Sequence, residues 1–209
     1  MLVDRTVRDL LAAFSSPDPT PGGGSASALA SAIGASLLMM VAGLPKSRSG
    51  SDEDRRALTS AAAALGGIRQ RLADAVDADT AAYDRVVAAY RLPKTGSDEQ
   101  QARKEAIQIA LRGATDVPLD VMRLSALALG QGEIVAARGY RSASSDVGAA
   151  IALVMAGTAG ARLNVDVNLD SVTDVVYRDA VRAESRTLMQ AVGDAAERAE
   201  SLLLAESSS

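Results

Sequence analysis

Between Leu65 and Tyr90 the larger apolar residues step by threes and fours through Leu65, Ile68, Leu72, Val76, Tyr83, Val86 and Tyr90, and Asp79 stands where that rhythm calls for leucine or valine. Such spacing keeps side chains on one stripe of an α-helix and on neither face of a strand. The chain is thereby committed to at least one long helix with a face to bury. The material available to cover that face is unusual: one Phe, no Trp and four Tyr in 209 residues, with a long succession of Ala among Leu, Val and Ile. Small side chains let helices approach closely, so the composition predicts an all-α fold rather than a sheet sandwich. The length suits a single-domain bundle of long and short helices over residues 1–209, with 206–209 a loose tail.

Along the chain, Val7, Leu10, Leu11 and Phe14 predict a short helix over 6–14, stopped by the Pro-rich stretch at 17–21. Three glycines, Gly22, Gly23 and Gly24, then lead into a small-residue helix running to about Gly43. Gly43-Leu44-Pro45 and the polar stretch to Asp54 break it, and Pro93 ends the striped helix. Arg103, Ile107 and Leu111 share a face of the next helix, and 114–138 reads as a separate one, with Pro118 tolerable in its first turn. Helical spacing returns through Val147, Ile151, Val154, Thr158 and Ala161. Residues 164–169 alternate in a way that fits either a strand or one helical turn. Asp170 or Ser171 is positioned to cap a last helix containing Val175, Leu188, Val192 and Leu202.

Composition excludes several classes of function. With 22 basic against 26 acidic residues the net charge is -4, which offers no attraction to a polyanionic backbone, so no nucleic-acid partner is expected. The longest apolar run, near Leu37 to Leu44, falls far short of the roughly 20 residues a membrane span needs. No signal peptide or membrane partner is expected, and the cytoplasm is the expected location. Cysteine and histidine are both absent, which removes disulfides, a thiolate nucleophile, an imidazole base and the usual zinc ligands. A hard-cation site of oxygen ligands stays open, but no EF-hand-like cluster is present and no metal is expected. Any chemistry falls to carboxylates, Lys, Tyr, Ser, Asn and backbone groups.

Asp79 is the foremost candidate. A carboxylate on an apolar stripe loses hydration and its pKa rises unless donors compensate, which poises a general base. The alternative is a structural carboxylate bonded to a cation or a helix terminus. Pro21, Gly22, Gly23, Gly24 and Ser25 leave backbone N–H groups facing an open approach, either as a seat for a small anionic group or as close packing with a helix cap. The run is neither a Rossmann nor a Walker motif, since it lacks the spacing, the preceding strand and the Gly-Lys-Ser/Thr ending. Lys94, just beyond Leu92-Pro93, either aims its ammonium back toward a site or lies in solvent. Ser145 and Asp146 most simply cap a helix. Asn164 and Asn168, interleaved with Val165 and Val167, could read a ring edge or satisfy backbone groups.

Four ordered motifs carry a resemblance. They are Pro-Thr-Pro-Gly-Gly-Gly-Ser at 19–25, Asp-Ala-Asp-Thr-Ala-Ala-Tyr-Asp-Arg-Val-Val-Ala-Ala-Tyr-Arg-Leu-Pro-Lys at 77–94, Ser-Asp-Val-Gly at 145–148 and Asn-Val-Asp-Val-Asn-Leu at 164–169. Together they resemble the formiminotransferase-cyclodeaminase C-terminal family, which includes stand-alone methenyltetrahydrofolate cyclohydrolases, over nearly the whole chain from Val7 to Met189. The resemblance implies an all-helical homodimer that binds a tetrahydrofolate derivative as substrate, without a prosthetic group, in a cleft near helix ends and the subunit contact. It implies Asp79 as the acidic residue of the catalytic helix, Lys94 as its Leu-Pro-Lys member, and Pro21 to Ser25 as cleft lining. Ser145, Asp146, Asn164 and Asn168 would be further cleft or supporting positions. The chain departs from the family pattern at Gly139-Tyr140-Arg141-Ser142, where an Asn-rich stretch is common, and at Leu44-Pro45.

In the reaction the resemblance implies first, Asp79 orients and deprotonates water against the bridge carbon of 5,10-methenyltetrahydrofolate. Lys94 stabilises or protonates the tetrahedral intermediate, and cleavage toward N5 gives 10-formyltetrahydrofolate. The alternative is a formiminotetrahydrofolate cyclodeaminase, in which N10 attacks a formimino carbon and ammonia leaves. The chain starts at Met1 with no formiminotransferase segment before it, and on that ground the cyclohydrolase is the expected activity. A reading from another class, a noncatalytic helical assembly subunit, sits poorly with Asp79 on an apolar stripe.

Overall fold

The computed structural model describes residues 1–204; the tail expected at 206–209 lies outside the described residues. Among the described residues six α-helices follow one another: α1 (Val7–Phe14), α2 (Gly23–Ala42), α3 (Asp52–Tyr90), α4 (Ser97–Arg138), α5 (Ser144–Leu169) and α6 (Val175–Leu204). Single 3-10 turns, Leu2–Asp4 and Arg141–Ala143, precede α1 and α5. Local chemistry starts these helices where the sequence signals it. Thr6 accepts from the Asp9 N–H at 3.2 Å and Ser51 from the Asp54 N–H at 3.2 Å, and three acidic residues in the first turn of α3 complement its dipole.

Leu65, Leu72 and Val76 on the α3 stripe are fully buried, in one core with Leu38, Met122, Leu129, Ile151 and Leu169. α2 and α5 form the central pair of the bundle, and their seam is made of small residues. A Cβ added at Gly157 would meet the Ser27 carbonyl at 2.6 Å and the Ser31 N–H nitrogen at 3.0 Å. The Ser31 hydroxyl in turn bonds that of Ser125 on α4 at 2.9 Å. Gly157→Ala is therefore expected to lower stability by about 1–3 kcal/mol through overpacking against backbone that side-chain rotation cannot clear. Gly67→Ala, where a Cβ meets nothing within 4 Å, is expected to gain about 0.5–1 kcal/mol from helix propensity. Urea unfolding of both variants separates the two effects.

The structure corrects several expectations. α4 is one continuous helix, with Pro118 buried in its interior rather than in a first turn. Residues 164–169 are helical, the last turns of α5, with Val165 and Leu169 turned into the core. α6 starts later than expected: the Asp174 side chain, not Asp170 or Ser171, accepts from the Tyr177 N–H at 3.0 Å. Ser145 and Asp146 fall inside the first turn of α5, whose cap position is Ala143 with no side-chain cap bond. α2 and the segment Arg141–Leu169 are each long and apolar enough to cross a membrane by length and composition, which the search for an apolar run missed because Ser, Gly and Ala interrupt it.

Candidate active site

The N-terminus of α2, the C-terminal third of α3 and the C-terminus of α5 meet at one end of the bundle, where α4 closes the fourth side around a cleft of about 300 Å³. Its lining includes Gly22, Gly23, Gly24, Asp79, Asn164 and Asn168, so motifs widely separated in sequence converge there. Thr20, Tyr83 and Leu111 also line it, and sequence reasoning did not single them out as site residues. Tyr83 carried a signal, being the next member of the Asp79 stripe; it is 41 % exposed, too open for a core residue.

The centre of the cleft is a carboxylate at a helix N-terminus. Asp79 Oδ2 accepts from the Ser25 N–H at 2.9 Å and from the Ser25 hydroxyl at 3.0 Å. The same hydroxyl lies 2.8 Å from the Val76 carbonyl, which pins Ser25 to the preceding turn of α3. The anion seat expected at the glycine run is thus taken, in this chain, by Asp79 itself. Gly24 makes the approach possible: a Cβ there would fall within the carboxylate, 2.5 Å from Cγ. Oδ1 accepts no hydrogen bond from the described residues. Burial pushes the Asp79 pKa above the ordinary aspartate range, while the side-chain and backbone hydrogen bonds from Ser25 pull it back down. Among the described residues, Asp79 is the one charged side chain lining the cleft.

The two asparagines present one face. Asn164 donates Nδ2 to the Gly160 carbonyl at 2.8 Å, and Asn168 donates Nδ2 to the Ala114 carbonyl on α4 at 2.8 Å. A carbonyl partner accepts only, so each amide has one N–H committed, which fixes which way round it sits and leaves its oxygen and second N–H for another partner.

The other sequence candidates lie elsewhere. Pro21 lines a neighbouring groove with Leu2, Arg5 and Asp77, not the cleft. Asp77 accepts from the Leu2 N–H at 2.5 Å and so ties the N-terminal turn to α3. Lys94 is exposed in the connection from α3 to α4 and is absent from the cleft lining. A second groove, lined by Pro19, Tyr83, Arg91, Leu92 and Pro93, shares Pro19 and Tyr83 with the cleft and brings the residue before Lys94 beside it. Ser145 and Asp146 sit at the opposite end of α5 from Asn164, roughly 27 Å along the axis at 1.5 Å per residue. Within one chain they cannot share the cleft with Asp79. Among the described residues, no group of three or more acidic side chains is arranged to hold a metal ion.

Fold and cleft together define an all-helical protein with a half-buried carboxylate, Asp79, in its cleft. The sequence profile of the formiminotransferase-cyclodeaminase family matches residues 6–187, and the chain belongs to that family. It is 35% identical over 198 residues to a methenyltetrahydrofolate cyclohydrolase of Methylorubrum extorquens, covering 95% of each chain. It is 30% identical over 189 residues to the formimidoyltransferase-cyclodeaminase of Rattus norvegicus, covering 90% of this chain but only 35% of that protein. The crystal structure of a formiminotetrahydrofolate cyclodeaminase from Thermotoga maritima superimposes with a TM-score of 0.87 over 98% of both chains, at 23% identity.

Proposed function

We propose that this protein is a formiminotetrahydrofolate cyclodeaminase, with Asp79 as its acid–base group. The observation that carries the reading is the single cleft carboxylate, held through Oδ2, unbonded at Oδ1 and raised in pKa by burial. One carboxylate is enough for this reaction. N10 attacks the carbon of the protonated formimino group, and its electron pair forms the new C–N bond while the C=N pair moves to the formimino nitrogen. Asp79 takes the proton from N10 and returns it to the amino group, which leaves as ammonia with the C–N pair. The bridge carbon is left as a methenyl cation across N5 and N10, so charge and protons balance. A base and acid that are the same group work best with a pKa drawn toward the operating pH. The carboxylate then faces the cationic product and stabilises the charge that develops on the way to it.

The cyclodeaminases among its relatives, together with the cyclodeaminase that shares its fold, put this reading ahead of hydrolysis of 5,10-methenyltetrahydrofolate. Hydrolysis remains the second reading because the Methylorubrum relative matches over 95% of its length. The same carboxylate could deprotonate water against the same carbon. Ammonia release from 5-formiminotetrahydrofolate, measured beside the loss of 5,10-methenyltetrahydrofolate absorbance corrected for its spontaneous hydrolysis, separates the two. Fast methenyl loss without ammonia from the formimino compound would reverse the order. Failure to bind any reduced folate would revive a noncatalytic assembly role.

Lys94 enters this reading from the connection between α3 and α4, outside the cleft lining. If it protonates or stabilises the tetrahedral species, Lys94→Met lowers kcat by about tenfold or more with KM little changed. Unchanged kcat leaves Asp79 to act alone. A cytoplasmic homodimer completes the proposal. The apolar side chains of Leu163 and Val167 on α5 are 66% and 69% exposed, and Ile33 and Met40 on the adjoining α2 are exposed as well, which gives a second copy a face to cover.

A further inference from the structure

Pro118 has no N–H, so the helix position four residues earlier, Ala114, has a carbonyl with no i+4 donor within α4. A carbonyl left this way in a partly buried turn needs another partner. It finds one across the bundle in the Asn168 side chain, whose Nδ2 lies 2.8 Å away on α5. Both Ala114 and Asn168 line the cleft. A helix break and a cleft residue are therefore connected by one hydrogen bond.

From this juxtaposition we propose that Pro118 is a positioning residue: by freeing the Ala114 carbonyl it anchors the Asn168 amide nitrogen and turns Asn168 Oδ1 into a fixed acceptor for a ligand N–H. The proposal rests on the folate reading for the identity of that ligand. The geometry is specific because a carbonyl accepts and never donates, so the amide has a single satisfactory orientation. Asn164 is held in the same sense by the Gly160 carbonyl. The cleft wall on α5 then offers two fixed amide oxygens one helical turn apart, while the Asp79 carboxylate on α3 stays with the reacting nitrogens. Two fixed acceptors suit a ring edge with adjacent donors, and the pyrimidine edge of a reduced pterin, with a ring N–H beside the exocyclic amino group, is such an edge. An alanine at position 118 would supply the missing N–H to Ala114, and Asn168 would lose the reason for its orientation.

The test compares wild type, Pro118→Ala, Asn168→Ala and the double variant in two measurements. The first is calorimetric titration with 5-formyltetrahydrofolate, a stable reduced folate that carries the donor edge. Pro118→Ala is expected to weaken binding about tenfold, the scale of one hydrogen bond to a ligand group. The double variant is expected to bind no worse than Asn168→Ala alone, because both changes remove one interaction. Wild-type affinity in Pro118→Ala, or losses that multiply in the double variant, overturns the proposal. The second measurement needs no ligand: the Asn168 side-chain amide protons, followed by NMR, should exchange slowly in wild type and at least tenfold faster in Pro118→Ala. Unchanged exchange in a folded Pro118→Ala also overturns it. If wild type binds no reduced folate, the folate reading fails by itself, and the amide exchange still decides whether Pro118 holds Asn168.

Discussion

Asp79→Asn is expected to lower turnover by about 10²–10⁴-fold or more and still give a folded protein, measured as ammonia release or methenyl loss under saturating substrate. The asparagine oxygen can still accept from the Ser25 N–H and hydroxyl, so the joint between α2 and α3 survives. What disappears is the proton acceptor. Stability should move the other way. Burial raises the folded-state pKa of Asp79 above its unfolded value. The folded chain then holds that proton more tightly, and the stability this contributes is complete below the unfolded pKa, about 3.9, and lost as the pH rises through the folded pKa. At neutral pH the wild type carries a half-buried charge that the variant lacks. Thermal melts at pH 7 should place Asp79→Asn at or above wild type, with the advantage shrinking toward pH 4. Near-normal turnover would remove Asp79 from the chemistry.

Gly24→Ala is expected to cost about 100-fold in kcat or more with little loss of stability. The added methyl would occupy the space of the Asp79 carboxylate, and the group that can yield is the end of a side chain rather than backbone. Asp79 would rotate away, lose its bonds to Ser25 and leave its place over the cleft, while alanine in the first turn of α2 suits a helix better than glycine. Circular dichroism and melting should read near wild type as activity falls. A variant with normal kcat would show that the approach of Gly24 to Asp79 is a packing detail without catalytic weight.

Much of this arrangement was legible in the sequence because it is local. The α3 stripe gave the helix, its buried face and the anomaly at Asp79, since burial follows period. The glycine run announced a close approach but not what approaches, because the partner comes from 54 residues away. The asparagine pair was legible as helix or strand only after Val165 and Leu169 were seen in the core. Pro118 misled for a physical reason: a proline normally marks a helix boundary, and here the lost donor is replaced by a side chain on another helix, which no local window contains. Ser145 and Asp146 were grouped with the cleft by motif. Their distance from it follows at once when 144–169 is a single helix, because a helix is a ruler.

The seam between α2 and α5 carries Gly23 and Gly24 at one of its ends and Asn164 and Asn168 at the same end on the other helix. Where it is tightest, at Gly157, main chain nearly meets main chain, with no rotamer available to lengthen or shorten the contact. The gap between the opposing walls of the cleft is thus set by the peptide backbone, like a gauge block, and not by adjustable side chains. A ligand too thick for it has to be admitted by movement of α3 or the loops at its rim. Substrate tolerance in relatives with bulkier residues along this seam should change in step with the width of that gap.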